Sequence, residues 1–308
     1  MSIYRNAFQK LHRSYPSLNL MIQVSKDLNG VQVVLPGLRF DDINHTGQPN
    51  MVTMFDMMSH VETASFGHEP SFLDYLALRH QNLRVFVKCC VMDISSKFYE
   101  TTTPKAPLDV QVKLSDIGNT TFTTTNELFC GGNLNPSIRT RSVYAFINKK
   151  TSKIEAVPEW WRNRFAPLVK TPLGNNRPFV TPKQKAEDTH INCFTIPLTD
   201  TDHNERTRCA SYLRYFTENT SVASRKELLK HIKSSFHEFH IKRLSMVYFG
   251  PTNWGDMLTS ETWQDDRPLN IMCEICKDGN LKWFAEMELY NKVYGLPELE
   301  TTHNSNSQ

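Results

Sequence analysis

Two stretches of this chain repeat each other in order and in spacing, and that repetition limits its fold more than any other feature. Phe40-Asp41-Asp42-Ile43-Asn44-His45-Thr46-Gly47-Gln48-Pro49-Asn50 precedes a methionine-rich apolar run. Leu198-Thr199-Asp200-Thr201-Asp202-His203-Asn204-Glu205-Arg206-Thr207-Arg208 precedes Tyr212-Leu213-Arg214-Tyr215-Phe216. Asp42 aligns with Asp200, Asn44 with Asp202 and Gln48 with Arg206. A second echo follows each: Glu127-Leu128-Phe129-Cys130-Gly131-Gly132-Asn133-Leu134 against Glu274-Ile275-Cys276-Lys277-Asp278-Gly279-Asn280-Leu281. Two echoes in the same order imply two copies of one domain. At 308 residues, each copy is long enough to bury a core of its own.

Each copy reads as a strand, a long helix and then four strands. In the first, Val31–Leu35 is β-rich and stops at Pro36-Gly37. Met51, Met54, Phe55, Met58 and Val61 then recur at the spacing of one helix face. A looser helical stretch lies near Phe72–Leu78. Val85–Met92, Leu108–Leu114, Thr120–Phe129 and Ile138–Ile147 alternate as strands do, with a turn at Gly131-Gly132-Asn133. In the second, Ile191–Pro197 is the strand, and Cys209, Tyr212, Leu213, Phe216, Val222 and Ala223 line the helix. Leu228, Leu229, Ile232 and Phe236 predict a further helix over Arg225–Phe236. Strands are expected at Ile241–Phe249, Met257–Trp263, Leu269–Cys276 and Leu281–Leu289, the last two joined by the hairpin turn Lys277-Asp278-Gly279-Asn280.

These readings divide the chain into an N-terminal extension (1–28), a first domain (29–157), a proline-punctuated linker (158–188), a second domain (189–293) and a polar tail (294–308) whose end is expected to be disordered. Trp160 and Trp161 are expected to anchor the linker. The first 26 residues carry Arg5, Lys10, Arg13 and Lys26 and no acid, a pattern of mitochondrial presequences as well as of a simple extra helix.

Composition removes several classes of function. A formal charge of +3 argues no nucleic-acid partner. No apolar run reaches membrane-spanning length. Seven scattered cysteines suit reduced thiols, so cytoplasmic residence is expected, with mitochondria as the alternative. Cys273 and Cys276 have zinc-pair spacing, but on a strand they face opposite sides and lack a second pair; Cys89 and Cys90 likewise face apart. His231, His237 and His240 read as a solvated basic face rather than a metal site. Neither a Gly-x-Ser-x-Gly elbow nor a phosphate loop nor a dinucleotide fingerprint occurs.

The element order and the motif before each helix resemble the hotdog fold, an antiparallel sheet wrapped around a long central helix. Many hotdog thioesterases carry Asp-x-Asp-x-x-Gly-His-x-Asn there. The first copy has Asp42-x-Asn44-x-x-Gly47-Gln48-x-Asn50, and the second Asp200-x-Asp202-x-x-Glu205-Arg206-x-Arg208. Thr151–Pro158 also looks like that family's exit from its last strand. Tandem hotdogs in one chain are similar to acyl-acyl carrier protein thioesterases, whose Asp-x-Asn-x-His falls on Asp202, Asn204 and Arg206. The resemblance implies an α+β fold of two tandem hotdog domains covering about residues 31 to 290. It also implies hydrolysis of fatty acyl-coenzyme A or acyl-carrier-protein thioesters without metal or cofactor.

On that reading Asp202 activates water and Asn204 positions it, ahead of a helix start that holds the developing oxyanion. Arg206, Arg208, Tyr212, Asn44, Gln48 and Asn50 are the expected substrate contacts, the arginines for phosphate or carboxylate. Both copies lack the motif's histidine, and arginine is no base at neutral pH. Asn44 and Gln48 make the first copy chemically silent. Asp200, Asp202 and Asn204 are equally the residues of a tight turn and helix cap, as are Asp42 and Asn44. A non-catalytic acyl-binding or protein-interaction module is therefore the alternative, and a dehydratase fits less well. Paired halves within one chain allow a monomer, or a homodimer of such pairs.

Overall fold

The computed structural model describes residues 22–169, 180–202, 205–232, 235–267 and 269–290. Among these residues, one antiparallel sheet contains β1 (Ile22–Val24), β2 (Gly30–Leu35), β3 (Leu83–Ile94), β4 (Leu108–Ile117), β5 (Thr121–Cys130) and β6 (Ile138–Asn148) from the first half. The second half adds β7 (His190–Thr195), β8 (Ile241–Tyr248), β9 (Met257–Gln264), β10 (Asn270–Lys277) and β11 (Asn280–Leu289). Their order is β1-β2-β4-β5-β6-β3-β8-β11-β10-β9-β7. From β2 inward and from β7 inward the same sequence of strands is met, so the halves join where equivalent strands β3 and β8 pair. Val91 faces Ser245 at that seam, and Asp93 pairs with Arg243 at 3.4 Å. One chain thereby buries two sheet edges that separate domains would leave open.

A long helix lies on the concave face of each half: α1 (Met51–Gly67) and, after α2 (Tyr75–His80) and α3 (Glu159–Phe165), α4 (Cys209–Arg225). The predicted stripe is what α1 buries, with Met54 and Met58 at most 1% exposed. Burial of each such side chain contributes about 1.5–3 kcal/mol. The two long helices also pack on each other, so the cores of the halves are continuous. Cys90 faces this core and Cys89 the opposite sheet face, as strand alternation requires.

Three stretches differ from expectation. Between Arg225, the last residue of α4, and Phe236, the first of a short 3-10 turn, the described residues form turns rather than a helix. Glu227 takes a left-handed φ of 58°, and the amides of Lys226 and Leu228 return to Val222 and Ala223, ending α4 there. Leu229, Ile232 and Phe236 are still buried, because a wrapped loop satisfies the same apolar spacing. His237 and His240 do not form a solvated face: His240 is 3% exposed and stacks on Tyr99 at 4.0 Å. Finally, residues 22–24, expected within the extension, pair with β2 as an edge strand.

The described parts of the linker pack on opposite faces of the sheet. Trp161 on α3 is fully buried; its indole donates to the Leu73 carbonyl at 2.8 Å and packs on Phe122, Phe146 and Phe165. Further on, Val180 and Ala186 cover Val247, Trp263, Met272 and Phe284 on the convex face. Lys183 reaches Glu286 at 2.6 Å, while Lys185 lies 2.9 Å from both Glu261 and Glu274. The expected presequence (largely), the rest of the linker and the expected tail (294–308) lie outside the described residues. Among the described residues no helix is long and apolar enough to cross a membrane.

Candidate functional site

The two repeated motifs fold into the same turn. In the first half the Asn44 amide donates to the Gln48 carbonyl at 2.7 Å, and the Gly47 amide to Asn44 at 3.0 Å. The Asn44 side-chain oxygen accepts from the amides of Thr46 and Gln48, both at 3.0 Å, and from the Thr46 hydroxyl at 2.7 Å. In the second half the Asp202 amide donates to Arg206 at 2.7 Å, and the Glu205 amide to Asp202 at 3.0 Å. One Asp202 carboxylate oxygen accepts from the Arg206 amide at 3.1 Å. Glu205, at φ 59°, stands where the first copy has Gly47 at φ 78°. A left-handed non-glycine residue costs about 1 kcal/mol. Asn44 and Asp202 thus each stabilise their own turn, and Asp202 brings a negative charge to it.

The helix starts differ. Asn50 caps α1, accepting from Val52 at 3.0 Å and from Thr53 at 3.5 Å. Arg208 occupies that place in α4, and no side chain among the described residues caps the helix. The start is held from outside instead. The Thr252 hydroxyl joins the hydroxyls of Thr207 (2.6 Å) and Tyr212 (2.7 Å), and the Thr207 amide donates to the Thr252 carbonyl at 2.9 Å. Below it Asp200, 2% exposed, receives the Tyr215 hydroxyl at 2.5 Å and pairs with Arg214. Its counterpart Asp42 is pushed up by burial, but hydrogen bonds from Arg39 outweigh this and hold its carboxyl below the usual range.

Each turn meets the opposite half. Arg84, at the start of β3, experiences the charges of both Arg206 and Asp202. Burial first, and then Arg206, lowers its pKa. His60 on α1 senses Arg208, and its hydrogen bond to Asp56 raises its own pKa. At the first turn Thr46 donates to the His237 carbonyl at 3.4 Å, and the rings of His45 and His237 meet edge-on at 4.7 Å. His237 also shares a 2.9 Å hydrogen bond with Ser221; burial and then His45 keep its pKa low.

Of the residues singled out from sequence, Asp202, Arg206 and Arg208 come together at one turn. Asn44, Gln48 and Asn50 form the other, and Asn204 lies outside the described residues. Tyr212 is 3% exposed and stacks on Trp283, so its side chain belongs to the core; burial pushes its hydroxyl up to about 12. A surface concavity of about 300 Å³, bounded by Asp93, Arg139, Lys242 and Tyr290 among others, includes none of these residues. Among the described residues no cluster of three His, Cys, Asp or Glu could hold a metal ion.

Three residues escaped the sequence reading: Arg84, His60 and Glu62. Glu62 is fully buried on α1, where the Thr124 hydroxyl donates to it at 2.5 Å and the Tyr144 hydroxyl lies alongside. Burial raises its pKa to about 7. An acid one turn beyond Met58 on an otherwise apolar face is a signal that could have found it. Arg84, one residue before an apolar strand, offered none.

No family model matches the sequence, and neither does any curated protein. Solved structures do resemble it. One is the 12:0-ACP thioesterase from Umbellularia californica, at TM-score 0.65 and 16% identity over 85% of this chain and 98% of that one. Another is an acyl-ACP thioesterase from Bacteroides thetaiotaomicron, at TM-score 0.65 and 13% identity over 87% and 100%. With the strand order above, these define the fold as a double hotdog: two tandem α+β domains, each a sheet wrapped around its helix. Identities this low show the fold alone.

Proposed function

We propose that the protein is an acyl thioesterase acting at the turn ahead of α4. The observation that carries the proposal is a carboxylate, Asp202, placed before a helix start that no side chain among the described residues caps, where the equivalent first-half turn has a neutral Asn44 before a capped one. Asp202 takes a proton from water as the water oxygen attacks the thioester carbonyl. Amides at the start of α4 receive the developing oxyanion. Collapse breaks the carbon–sulfur bond, and the thiolate leaves to be protonated. Asn204 would orient the water, and Arg206 and Arg208 would hold an anionic part of the substrate. Asn44, Gln48 and Asn50 would maintain the silent half, and Tyr212 would fix the helix start through Thr252. No metal or cofactor is required.

The substrates proposed are fatty acyl thioesters of coenzyme A or of acyl carrier protein, the second suggested by the names of the structural neighbours. The boundaries 29–157 and 189–293 would mark the two halves, with β1 (Ile22–Val24) adding an edge strand ahead of the first, and the cytoplasm is the proposed location. A monomer suffices, because the pairing of halves is internal.

The second reading, a non-catalytic acyl-binding protein, is favoured by Arg206 standing where the motif has histidine. Thiol release from coenzyme A and carrier-protein thioesters of graded chain length, with Asp202→Asn beside the wild type, separates the two. Turnover reduced about 10²-fold or more in a folded mutant supports hydrolysis. Full activity in that mutant refutes the mechanism, and binding without turnover in the wild type establishes the second reading.

A further inference from the structure

Among the described residues, two guanidinium groups flanking the α4 turn have a buried Nε with no hydrogen-bond partner: Arg84 from the first half and Arg208 from the second. Among the described residues, others of this kind belong to uncharged groups such as the Asn126 amide and the Trp263 indole. A buried charged donor without an acceptor costs more than these, about 1–3 kcal/mol or above. Arg208 has one fixed use, donating through Nη2 to the Thr199 carbonyl at 2.8 Å. Arg84 lies within the fields of Arg206 and Asp202, so two like charges from opposite halves are held near one turn. Tyr75 and Asp202 oppose that repulsion in part. These cations lie near the proposed reaction site, whereas Arg139, Arg243 and Arg267 elsewhere each have a carboxylate within 4 Å.

We infer that Arg84 and Arg206, contributed by opposite halves, form an oxyanion-binding subsite beside Asp202, to which Arg84 donates through Nε. The occupant is a phosphate or carboxylate carried by the substrate. Phosphate would come from the carrier portion, and carboxylate from an acyl chain ending in an acid. Either satisfies the Arg84 donor and relieves the repulsion between the guanidiniums. The subsite lies between halves, so neither hotdog alone would possess it. It rests on the reading of the Asp202 turn as a thioester site for its purpose, though not for its ability to bind.

Equilibrium binding tests it independently of turnover. Coenzyme A is compared with pantetheine, which lacks the phosphates, and an S-(ω-carboxyalkyl) pantetheine thioether with its methyl-ended analogue. Wild-type preference for coenzyme A identifies phosphate as the occupant, and preference for the carboxylate analogue identifies an acyl acid. Arg84→Gln should weaken the preferred anionic probe on the order of tenfold or more and leave its neutral counterpart unchanged. If Arg84→Gln fails to fold, Arg84→Lys carries the test, since it keeps the charge and lacks Nε; it should also bind the anionic probe more weakly. Unchanged anion affinity in a folded variant overturns the inference, as does a wild type that binds charged and neutral probes alike. Arg84-dependent binding without hydrolysis of any thioester would remove the enzyme reading and leave the subsite standing.

Discussion

Replacing Glu62 with glutamine should make the protein more stable at neutral and alkaline pH, and the gain should vanish in acid. Glu62 is fully buried, and burial raises its pKa from 4.5 to about 7 even though hydrogen bonds from Thr124 and Tyr144 favour the ionised form. In the unfolded chain it loses its proton near 4.5; in the folded protein it keeps it until about 7. Between those values the folded state binds more protons, so stability falls as pH rises through the window and is level above it. The interval corresponds to about 3 kcal/mol at 1.4 kcal/mol per pH unit. Glutamine preserves shape and still offers an oxygen to Thr124, so that wild-type penalty is what the substitution removes. Urea unfolding of both proteins at intervals from pH 4 to 8.5 gives the difference in stability directly. That difference should be near zero at pH 4 and reach about 3 kcal/mol in favour of Glu62→Gln by pH 8. Other titrating groups such as His60 contribute to both proteins and cancel. Parallel curves would refute the assignment of a buried, proton-retaining carboxyl, and so would a mutant less stable at pH 8 than the wild type.

Trp161→Phe removes the indole bond to Leu73 and leaves a small void, which should cost about 1–3 kcal/mol in thermal or urea unfolding. Thr252→Val breaks the hydroxyl link between Thr207 and Tyr212. Hydrogen exchange at the start of α4 should accelerate, and any thioesterase turnover should fall even though Thr252 touches no substrate. Lys185→Met leaves Glu261 and Glu274 without their shared cation. With those side chains partly solvated, a loss of about 1 kcal/mol is expected, with faster exchange confined to residues 180–189. Asn44→Asp gives the first turn the charge of the second. Because Asn50 still caps α1, no turnover should appear there in an Asp202→Asn background, and restored activity would show that the helix cap does not matter.

The internal repeat by itself implied a chain of two like halves. Two motif copies and two runs of strands implied two copies of one domain, because alternation and helical spacing are local properties written residue by residue; that the domain is a hotdog came from the resemblance of the motif before each helix. The turns were legible for the same reason: Asn44 and Asp202 act on amides within four residues. Local spacing misled where a wrapped loop could bury Leu229, Ile232 and Phe236 as well as a helix would. What only the tertiary structure decided lies between the halves. The pairing of β3 with β8 brings Arg84 to the turn of Asp202 and His237 to the turn of His45, over sequence separations that no periodicity encodes. It also decided that Tyr212 packs inward and that Glu62 is sealed from water. Charge and burial at those positions depend on what the opposite half supplies, and that depends on how the sheet is assembled.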